Sequence, residues 1–312
     1  MNVLVKMKFG SCLYGTETEN SDTDYKGVFI PTKEQIFLGR IPNSYQESTK
    51  RGEGKNTAWD IDTELYSLYY FIQLACEGQT VALDMLHAPK EFWLNSSDVW
   101  EEIVLNRQKF YTKNLKAFIG YAQKQAAKYG IKGSRLENCE AVIKCLLSYP
   151  KEFKMADIWD KLPEGEHIKK NINPKNNMAE YEVCGRKIQA TARLEYGLEV
   201  FKKYQQSYGA RAKLAKENKG IDWKAVSHAI RAALQVKEIL TKGTISFPLK
   251  DADYLLKVKL GRLDYLLEVA PILEKLVDEA KELSAKSNLP LETDRGYWNE
   301  FIVRKVEGFL YS

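Results

Sequence analysis

Apolar and polar residues alternate from Val3 to Phe9, which predicts a β-strand because alternate side chains of a strand point to one face. Gly10-Ser11 follow directly, and we expect the chain to turn into a helix there. Second and third strands are predicted over Tyr25–Ile30 and Thr57–Leu65. Residues 39–56 are rich in Gly, Ser, Asn and charge, so they predict a mobile loop.

Helical periodicity replaces the alternating pattern further along the chain. It predicts a helix over Tyr66–Cys76 and an almost entirely helical chain after about residue 100. Asp222 is placed to cap a helix that runs to Lys242, with Gly243 just past its end. Another helical stretch, Leu255–Leu283, is expected to break around Pro271. The exception is Glu180–Thr191, which predicts a hairpin.

Composition and charge agree with a folded chain of two parts. Of the 312 residues, 44% are hydrophobic and 12% aromatic, enough for a sizeable core. The predicted elements give an α+β fold: a small mixed-sheet module over residues 1–100, then a mainly helical region over residues 101–312. The first part holds 14 Asp and Glu against 9 Lys and Arg, and the second holds 28 against 38. The acidic part suits cations, and the basic part suits phosphates or an anionic polymer.

Several classes of protein are disfavoured. The five cysteines are scattered without a Cys-x-x-Cys pair, which argues against a disulfide framework or a structural zinc site. No apolar run approaches the roughly 20 residues that cross a bilayer, so no membrane contact is expected. The N-terminus lacks the features of a signal peptide. We therefore expect a cytoplasmic protein, whose oligomeric state the sequence leaves open.

The residues with the clearest chemistry are acidic. Asp22 and Asp24 lie two positions apart at the start of the second predicted strand, so both carboxylates face one point. Such a pair stays ionised cheaply only around a cation, and hard oxygen ligands favour Mg²⁺ or Mn²⁺. A turn or a solvated pair is the ordinary alternative for an isolated Asp-x-Asp. Gly10-Ser11 add a backbone that phosphate can approach closely and a hydroxyl donor.

A further carboxylate is expected from the strand over Thr57–Leu65. Asp60, Asp62 and Glu64 alternate along it, so one or more of them can complete the acidic site. The order of strand, Gly-Ser, ten residues, Asp-x-Asp and a later acidic strand is what favours a site over separate turns. A Gly-x-x-x-x-Gly-Lys-[Ser/Thr] loop does not occur, which argues against a P-loop NTPase.

These motifs resemble the DNA polymerase β-like nucleotidyltransferase superfamily, in particular the predicted nucleotidyltransferases of bacteria and phages. The resemblance covers roughly residues 1–90. It implies that the expected cytoplasm is that of a bacterium or of a phage-infected host cell. It implies a catalytic module over residues 1–100, with the helical region covering the active site and binding the acceptor. The motifs that carry it are Gly10-Ser11-x-x-Tyr14-Gly15-Thr16, Ser21-Asp22-x-Asp24-x-x-Gly27-Val28 and Asp62-x-x-x-Tyr66-Ser67-Leu68.

The resemblance also implies roles. The protein would transfer a nucleoside monophosphate from a nucleoside triphosphate, with ATP favoured, and release pyrophosphate. Two ions, Mg²⁺ or Mn²⁺, would be held by Asp22, Asp24 and a third carboxylate. Asp62 ranks first for that place and Glu64 second, because neighbouring acids leave its identity open. The residues of this module expected to bind the nucleotide are Gly10, Ser11, Tyr14 and Ser21.

The helix predicted after Asp222 offers further contacts. Lys224, His228, Arg231 and Gln235 recur along it at helical spacing and share one face. We expect the three cationic residues to contact the nucleotide as a wall over the triphosphate. The alternative is a solvated face of an amphipathic helix.

The acceptor is left open by the sequence. The basic helical region favours an RNA or tRNA end over a cationic small molecule, because charges attract their opposites. A protein hydroxyl or another small molecule is the alternative acceptor. Two different functions compete with nucleotidyl transfer: a catalytically silent nucleotide- or RNA-binding module, and another metal-dependent phosphotransferase or hydrolase. The absence of His-rich metal motifs disfavours the last.

Overall fold

A mixed five-stranded sheet organises the N-terminal part of the chain. The computed structural model describes residues 2–50, 57–113, 120, 133–174 and 176–311. The sheet has the order β3-β4-β2-β1-β5, in which β2 and β4 are parallel and the other neighbours are antiparallel. Its strands are β1 (Asn2–Phe9), β2 (Thr23–Ile30), β3 (Ser44–Ser48), β4 (Ile61–Ser67) and β5 (Trp93–Ser96).

A second, antiparallel sheet of three strands lies further along the chain, in the order β6-β7-β8. The rest of the described chain is mainly helical, which confirms the predicted α+β class. The small strands are β6 (Ile168–Ile172), β7 (Ala179–Val183) and β8 (Arg186–Gln189). The helices are α1 (Gly10–Tyr14), α2 (Lys33–Phe37), α3 (Leu68–Cys76), α4 (Thr80–His87), α5 (Asp98–Leu105), α6 (Gly133–Leu147), α7 (Leu194–Lys216), α8 (Trp223–Lys242), α9 (Ala252–Lys259), α10 (Ala270–Lys286) and α11 (Arg295–Tyr311).

The chain forms two compact units. Unit 1 comprises residues 1–127, 222–263 and 271–312, and therefore contains the five-stranded sheet together with α8, α9 and α11. Unit 2 comprises residues 128–221 and 264–270, with the small sheet and its own core around Tyr181 and Phe201. Parts of the predicted helical region thus belong to each unit, and a division of function at residue 100 stays a prediction.

Several boundaries follow from local chemistry that the sequence already displayed. Asp222 caps α8 by accepting a hydrogen bond from the backbone N–H of Ala225 at 3.0 Å, and Gly243 ends the helix with φ +68°. Both were predicted. The predicted hairpin is β7 and β8, joined at Cys184-Gly185. None of the five cysteines, all of them within the described residues, forms a disulfide bond.

Other boundaries correct the sequence prediction. Residues 44–48, expected in a loop, form the edge strand β3 because β4 offers them a ladder of backbone partners. The strand predicted from residue 57 starts only at Ile61, since the preceding residues form a turn. The break expected at Pro271 falls earlier, after Lys259, where Gly261 takes a φ of +65°. A π-helical turn, Tyr265–Val269, also leads directly into α10, so the helix is irregular immediately before Pro271, which has no backbone N–H to donate.

Residues 114–132, part of the region predicted to be almost entirely helical, lie outside the described residues, apart from Gly120. Among the helices that are described, none combines the length and the apolar composition needed to span a bilayer.

Gly27 sets how closely the central strands of unit 1 approach each other. A Cβ atom added there would collide with the backbone carbonyl oxygen of Val5 and would lie 2.7 Å from Cδ2 of Leu65. Backbone cannot yield as a flexible side chain does, so the contact between β1, β2 and β4 depends on the missing side chain.

We therefore expect Gly27→Ala to lower the free energy of unfolding by about 1 to 3 kcal/mol, the usual cost of overpacking. Gly308→Ala is the matched control, because a Cβ atom there meets nothing within 4 Å and Ala favours the helix. Urea unfolding followed by circular dichroism measures both. Equal midpoints for the two variants would contradict this account of the strand contact.

Candidate active site

The three predicted carboxylates converge at the ends of neighbouring strands. Asp24 on β2 is the register partner of Asp62 on β4, and paired residues of parallel strands present their side chains on the same face. Asp22 lies just before β2. One carboxylate oxygen from each of Asp22, Asp24 and Asp62 lies within 4.8 Å of the others. The strand pairing therefore gathers the acids that the sequence spacing singled out.

Backbone bonding holds the acidic ends of these strands together. The N–H of Thr23, between the two acids of the Asp-x-Asp, donates to the carbonyl of Asp60 at 2.9 Å. Burial raises the pKa of Asp24 above its ordinary value, and the negative charges of Asp22 and Asp62 add to that effect against the opposing charges of Lys26 and Lys224. The cluster thus carries an electrostatic cost that a bound cation would remove.

This donor set fits a hard divalent cation. Three half-buried carboxylates provide oxygen ligands only, which suit Mg²⁺ or Mn²⁺ better than softer metals. The geometry agrees with a metal site at Asp22, Asp24 and Asp62.

Gly10 shapes the neighbouring turn. It begins α1 with a φ of +64°, and a Cβ atom on it would overlap the carboxylate of Asp24. Only glycine allows that carboxylate to pack against the turn. Ser11 follows at once and is half-buried, and its carbonyl accepts from the N–H of Thr16 at 2.9 Å. The Gly-Ser turn therefore lies directly beside the acidic cluster.

Glu64, the second choice for the third carboxylate, has other partners. It accepts hydrogen bonds from Lys26 at 2.7 Å, Tyr66 at 2.7 Å and Gln46 at 2.8 Å. Burial alone would raise its pKa, but these bonds outweigh burial and hold the pKa below its usual range. Its carboxylate is therefore held by side chains of the sheet. Asp62, not Glu64, is the residue of β4 that lies with Asp22 and Asp24 within metal-binding distance.

Asp60 and Ser21 close turns. The Asp60 carboxylate accepts from the backbone N–H of Thr57 at 2.7 Å and from its hydroxyl at 3.0 Å. The Ser21 hydroxyl accepts from the N–H of Thr18 at 2.9 Å. A nucleotide contact through Ser21 stays a prediction, and its observed bonds fix the loop that presents Asp22.

Two lysines face the acids. Lys224, predicted from the helix face, lies close enough to Asp24 to oppose the rise of that pKa. Lys259 on α9 was missed, because nothing in its local sequence marks it. Its ammonium donates to the carbonyl of Thr16 at 3.5 Å, and burial and then Lys224 lower its pKa, while Asp22 and Asp24 act in the opposite sense. The acidic cluster thus has a cationic neighbour from each of two helices.

His228 lies among these cations. Burial lowers its pKa to about 4, and the charges of Arg231, Lys224 and Lys259 contribute to that shift. At neutral pH the ring is therefore uncharged, so it can offer a hydrogen bond but no positive charge. Near the acids, the positive charge predicted for this helix face therefore comes from Lys224, together with Lys259 of α9, and not from His228.

Arg231 and Gln235 point into the core of unit 1. The guanidinium pairs with the fully buried Asp84 at 3.0 Å and stacks on the Tyr14 ring at 3.7 Å from its centroid. Gln235 and the Tyr14 hydroxyl also donate to Asp84, at 2.7 and 2.8 Å. These four residues form a buried polar cluster that joins α1, α4 and α8. Direct contact of Tyr14 or Arg231 with a nucleotide stays a prediction, and the observed partners favour a positioning role.

Comparisons with known proteins identify the family to which the chain belongs. Residues 1–149 match the RNA repair pathway DNA polymerase beta family, RlaP. The chain belongs to this DNA polymerase β-like nucleotidyltransferase superfamily, as its motifs predicted. Membership indicates nucleotidyltransferase activity on a nucleotide substrate.

One relative matches along nearly the whole chain. It is the "Uncharacterized 38.9 kDa protein in nrdC-mobD intergenic region" of Enterobacteria phage T4, which is 40% identical over 326 aligned positions. The alignment covers 97% of this chain and 97% of the phage protein. No solved structure matches the chain.

The acidic cluster predicts that removing one of its carboxylates stabilises the metal-free protein and weakens metal binding. Asp24→Asn should raise the melting temperature of the metal-free protein at neutral pH, because it removes one of three repelling charges. The gain should vanish below about pH 3.9, the ordinary pKa of Asp, where folded and unfolded chains are both protonated. Mg²⁺ or Mn²⁺ should raise the melting temperature of the wild type but not of this variant.

Glu64→Gln is the matched control for that experiment. It should lose stability, because the Lys26 ion pair weakens, yet keep the rise caused by metal. A metal-induced rise that survives in Asp24→Asn and disappears in Glu64→Gln would exchange the roles of these two acids.

The buried cluster predicts a large loss of stability in Arg231→Ala, by about 3 to 5 kcal/mol, because Asp84 would keep an unpaired buried charge. The double variant Asp84→Asn/Arg231→Met removes both charges, keeps a carbonyl acceptor near Tyr14 and Gln235, and should recover part of the loss. Urea unfolding of both variants measures it. A change of about 0.5 kcal/mol or less in Arg231→Ala would return this residue to a solvated helix face.

Proposed function

We propose that this protein is a metal-dependent nucleotidyltransferase that moves a nucleoside monophosphate from a nucleoside triphosphate, with ATP favoured, to a hydroxyl acceptor, and that the acceptor is an RNA end. The observation that carries the proposal is the convergence of Asp22, Asp24 and Asp62 beside the Gly10-Ser11 turn. A binding module that performs no chemistry would gain nothing from three mutually repelling carboxylates.

The three acids divide the work of the reaction. Asp22 and Asp24 would hold two divalent ions, with Asp62 as the ligand nearest the acceptor. When bound, the ions would supply charge neutralisation of the triphosphate and a lowered pKa of the acceptor hydroxyl. Asp62 accepts the proton of that hydroxyl. The acceptor oxygen forms a bond to the α-phosphorus as the bond between the α-phosphorus and the bridging oxygen breaks, and pyrophosphate leaves.

The other contacts serve the triphosphate. Gly10 leaves its backbone open to a phosphate, and Ser11 donates a hydroxyl hydrogen bond. Lys224 and Lys259 face the acids and provide positive charge for the β- and γ-phosphates, which carry most of the negative charge that leaves as pyrophosphate. His228, uncharged at neutral pH, is suited to a hydrogen bond in the same place.

The buried cluster acts through position. Tyr14 lies on α1, three residues after Ser11, whereas Arg231 lies on α8 one turn after His228. Because both bind Asp84, the cluster fixes the phosphate-binding turn relative to the helix that carries Lys224. Such support is what keeps catalytic contacts within the fraction of an ångström that transfer requires.

An RNA end is the acceptor that the available observations favour. The matching family is described as belonging to an RNA repair pathway. The chain beyond residue 100 carries 38 Lys and Arg against 28 Asp and Glu, which suits a polyanion better than a cationic small molecule.

The test supplies each α-labelled NTP with Mg²⁺ or Mn²⁺ and a pool of total RNA, protein or small-molecule extract, and follows transfer of label. We expect labelled RNA with the wild type and a loss of about 1000-fold or more in kcat with Asp62→Asn. Lys259→Ala should chiefly weaken the use of NTP, by about 10- to 100-fold in kcat/KM. Lys257→Ala, an exposed lysine on the same helix, is the matched control and should leave kcat/KM unchanged.

Label in protein or in a small molecule would keep the chemistry and replace the acceptor. NTP binding without transfer in any fraction, or full activity of Asp62→Asn, would contradict the proposal and leave a catalytically silent binding module.

A further inference from the structure

Trp59 is exposed at the edge of the acidic site. Its side chain is 90% accessible to solvent, although tryptophan is among the most extensively buried residue types. The turn that carries it is closed by hydrogen bonds, since the Asp60 carboxylate accepts from both the N–H and the hydroxyl of Thr57. A turn that presents a large aromatic ring to water has a cost in solvation, which a ligand on that ring would offset.

The position of this ring follows from the strand order. The Gly10-Ser11 turn leaves the end of β1, Asp24 lies on the neighbouring β2, and Asp62 lies on β4 beyond it. The phosphate-binding turn and Asp62 are therefore on opposite sides of Asp24. Trp59 precedes Asp62 by three residues on the chain that enters β4, so it belongs to the Asp62 side.

The separation is short. The carbonyl of Asp60, the next residue after Trp59, accepts from Thr23 between the two acids of β2. Three residues of extended chain span at most about 10 Å, which bounds the distance between the Cα atoms of Trp59 and Asp62. If the terminal hydroxyl of an acceptor lies at Asp62, the part of the acceptor that contacts the Trp59 ring is therefore close to that terminus.

We propose that Trp59 is a stacking platform for a base at the 3′ end of a single-stranded RNA acceptor. The inference rests on the proposed function and deepens it by naming the part of the acceptor that is recognised. Every base has an aromatic face, so stacking supplies affinity without selecting a sequence. A stacked base would lose this contact when the base is removed, whereas a protein or sugar acceptor would not, so an abasic strand separates these possibilities.

The test measures binding without NTP or metal, so that it does not depend on transfer. The probes are a fluorescein-labelled octauridylate and the same strand with an abasic 3′-terminal residue, which keeps the phosphates and the terminal hydroxyl. Dissociation constants come from fluorescence anisotropy for the wild type, Trp59→Ala and Trp59→Phe. Tyr311→Ala is the matched control, because Tyr311 is also 90% exposed but lies in the C-terminal helix.

Trp59→Ala should weaken binding of the intact strand by about 5- to 100-fold, the effect of losing one stacked base. The wild type should bind the abasic strand more weakly than the intact strand by the same factor. Trp59→Ala should bind the two strands with equal affinity. Trp59→Phe should retain most of the affinity, and Tyr311→Ala all of it.

The inference would be overturned if Trp59→Ala weakened binding of both strands equally or weakened neither. It would also be overturned if the wild type failed to bind the intact strand. An unchanged affinity for RNA with a raised KM for NTP would overturn it as well, because the ring would then serve the donor's base. The predicted binding pattern in a protein that never transfers a nucleotide would instead retain the platform and reject the proposed enzyme.

Discussion

The parallel pairing of β2 with β4 is the constraint on which the rest of the site depends. It places Asp24 opposite Asp62 at the ends of two adjacent strands, where their charges repel each other and that of Asp22. A sheet tolerates this arrangement only where backbone hydrogen bonds hold the strands and positive charge is available nearby. Without a bound cation, repulsion among the three carboxylates lowers the stability of the folded protein. A cation that reduces this repulsion is therefore expected to stabilise the fold.

The surrounding residues compensate for the concentration of charge in two ways. Glu64, the next acid along β4, is neutralised within the sheet by Lys26, so it does not add to the repulsion. Lys224 and Lys259 come from helices that the chain reaches more than 150 residues later, and they place positive charge opposite the acids. Under the proposed function, a triphosphate accompanied by divalent ions would suit these groups, since it would carry charge of both signs into the site.

The helix that supplies Lys224, α8, is held by a buried charge rather than by an apolar seam alone. Asp84 has no exposure to solvent and binds Tyr14, Arg231 and Gln235. Three donors converge on this one carboxylate, so a shift of α1 against α8 would break at least one of these bonds and leave a buried polar group without its partner. In the proposed reaction, this restriction would fix the distance between the Gly10-Ser11 turn and Lys224.

The sequence by itself determined the α+β class, the first strand and its Gly-Ser turn, the capped helix after Asp222 and the acids Asp22 and Asp24, because strand alternation, capping and i, i+2 spacing are local. It ranked Asp62 before Glu64 but left the choice open, because both share one face of a strand. In the structure three side chains donate hydrogen bonds to Glu64, two of them from neighbouring strands (Lys26 and Gln46), whereas Asp62 lies with Asp22 and Asp24. The sequence could not separate Lys224 from Arg231 on one helix face either, since which of them meets the acids and which is buried against Asp84 depends on residues far apart in sequence that only the tertiary fold brings together.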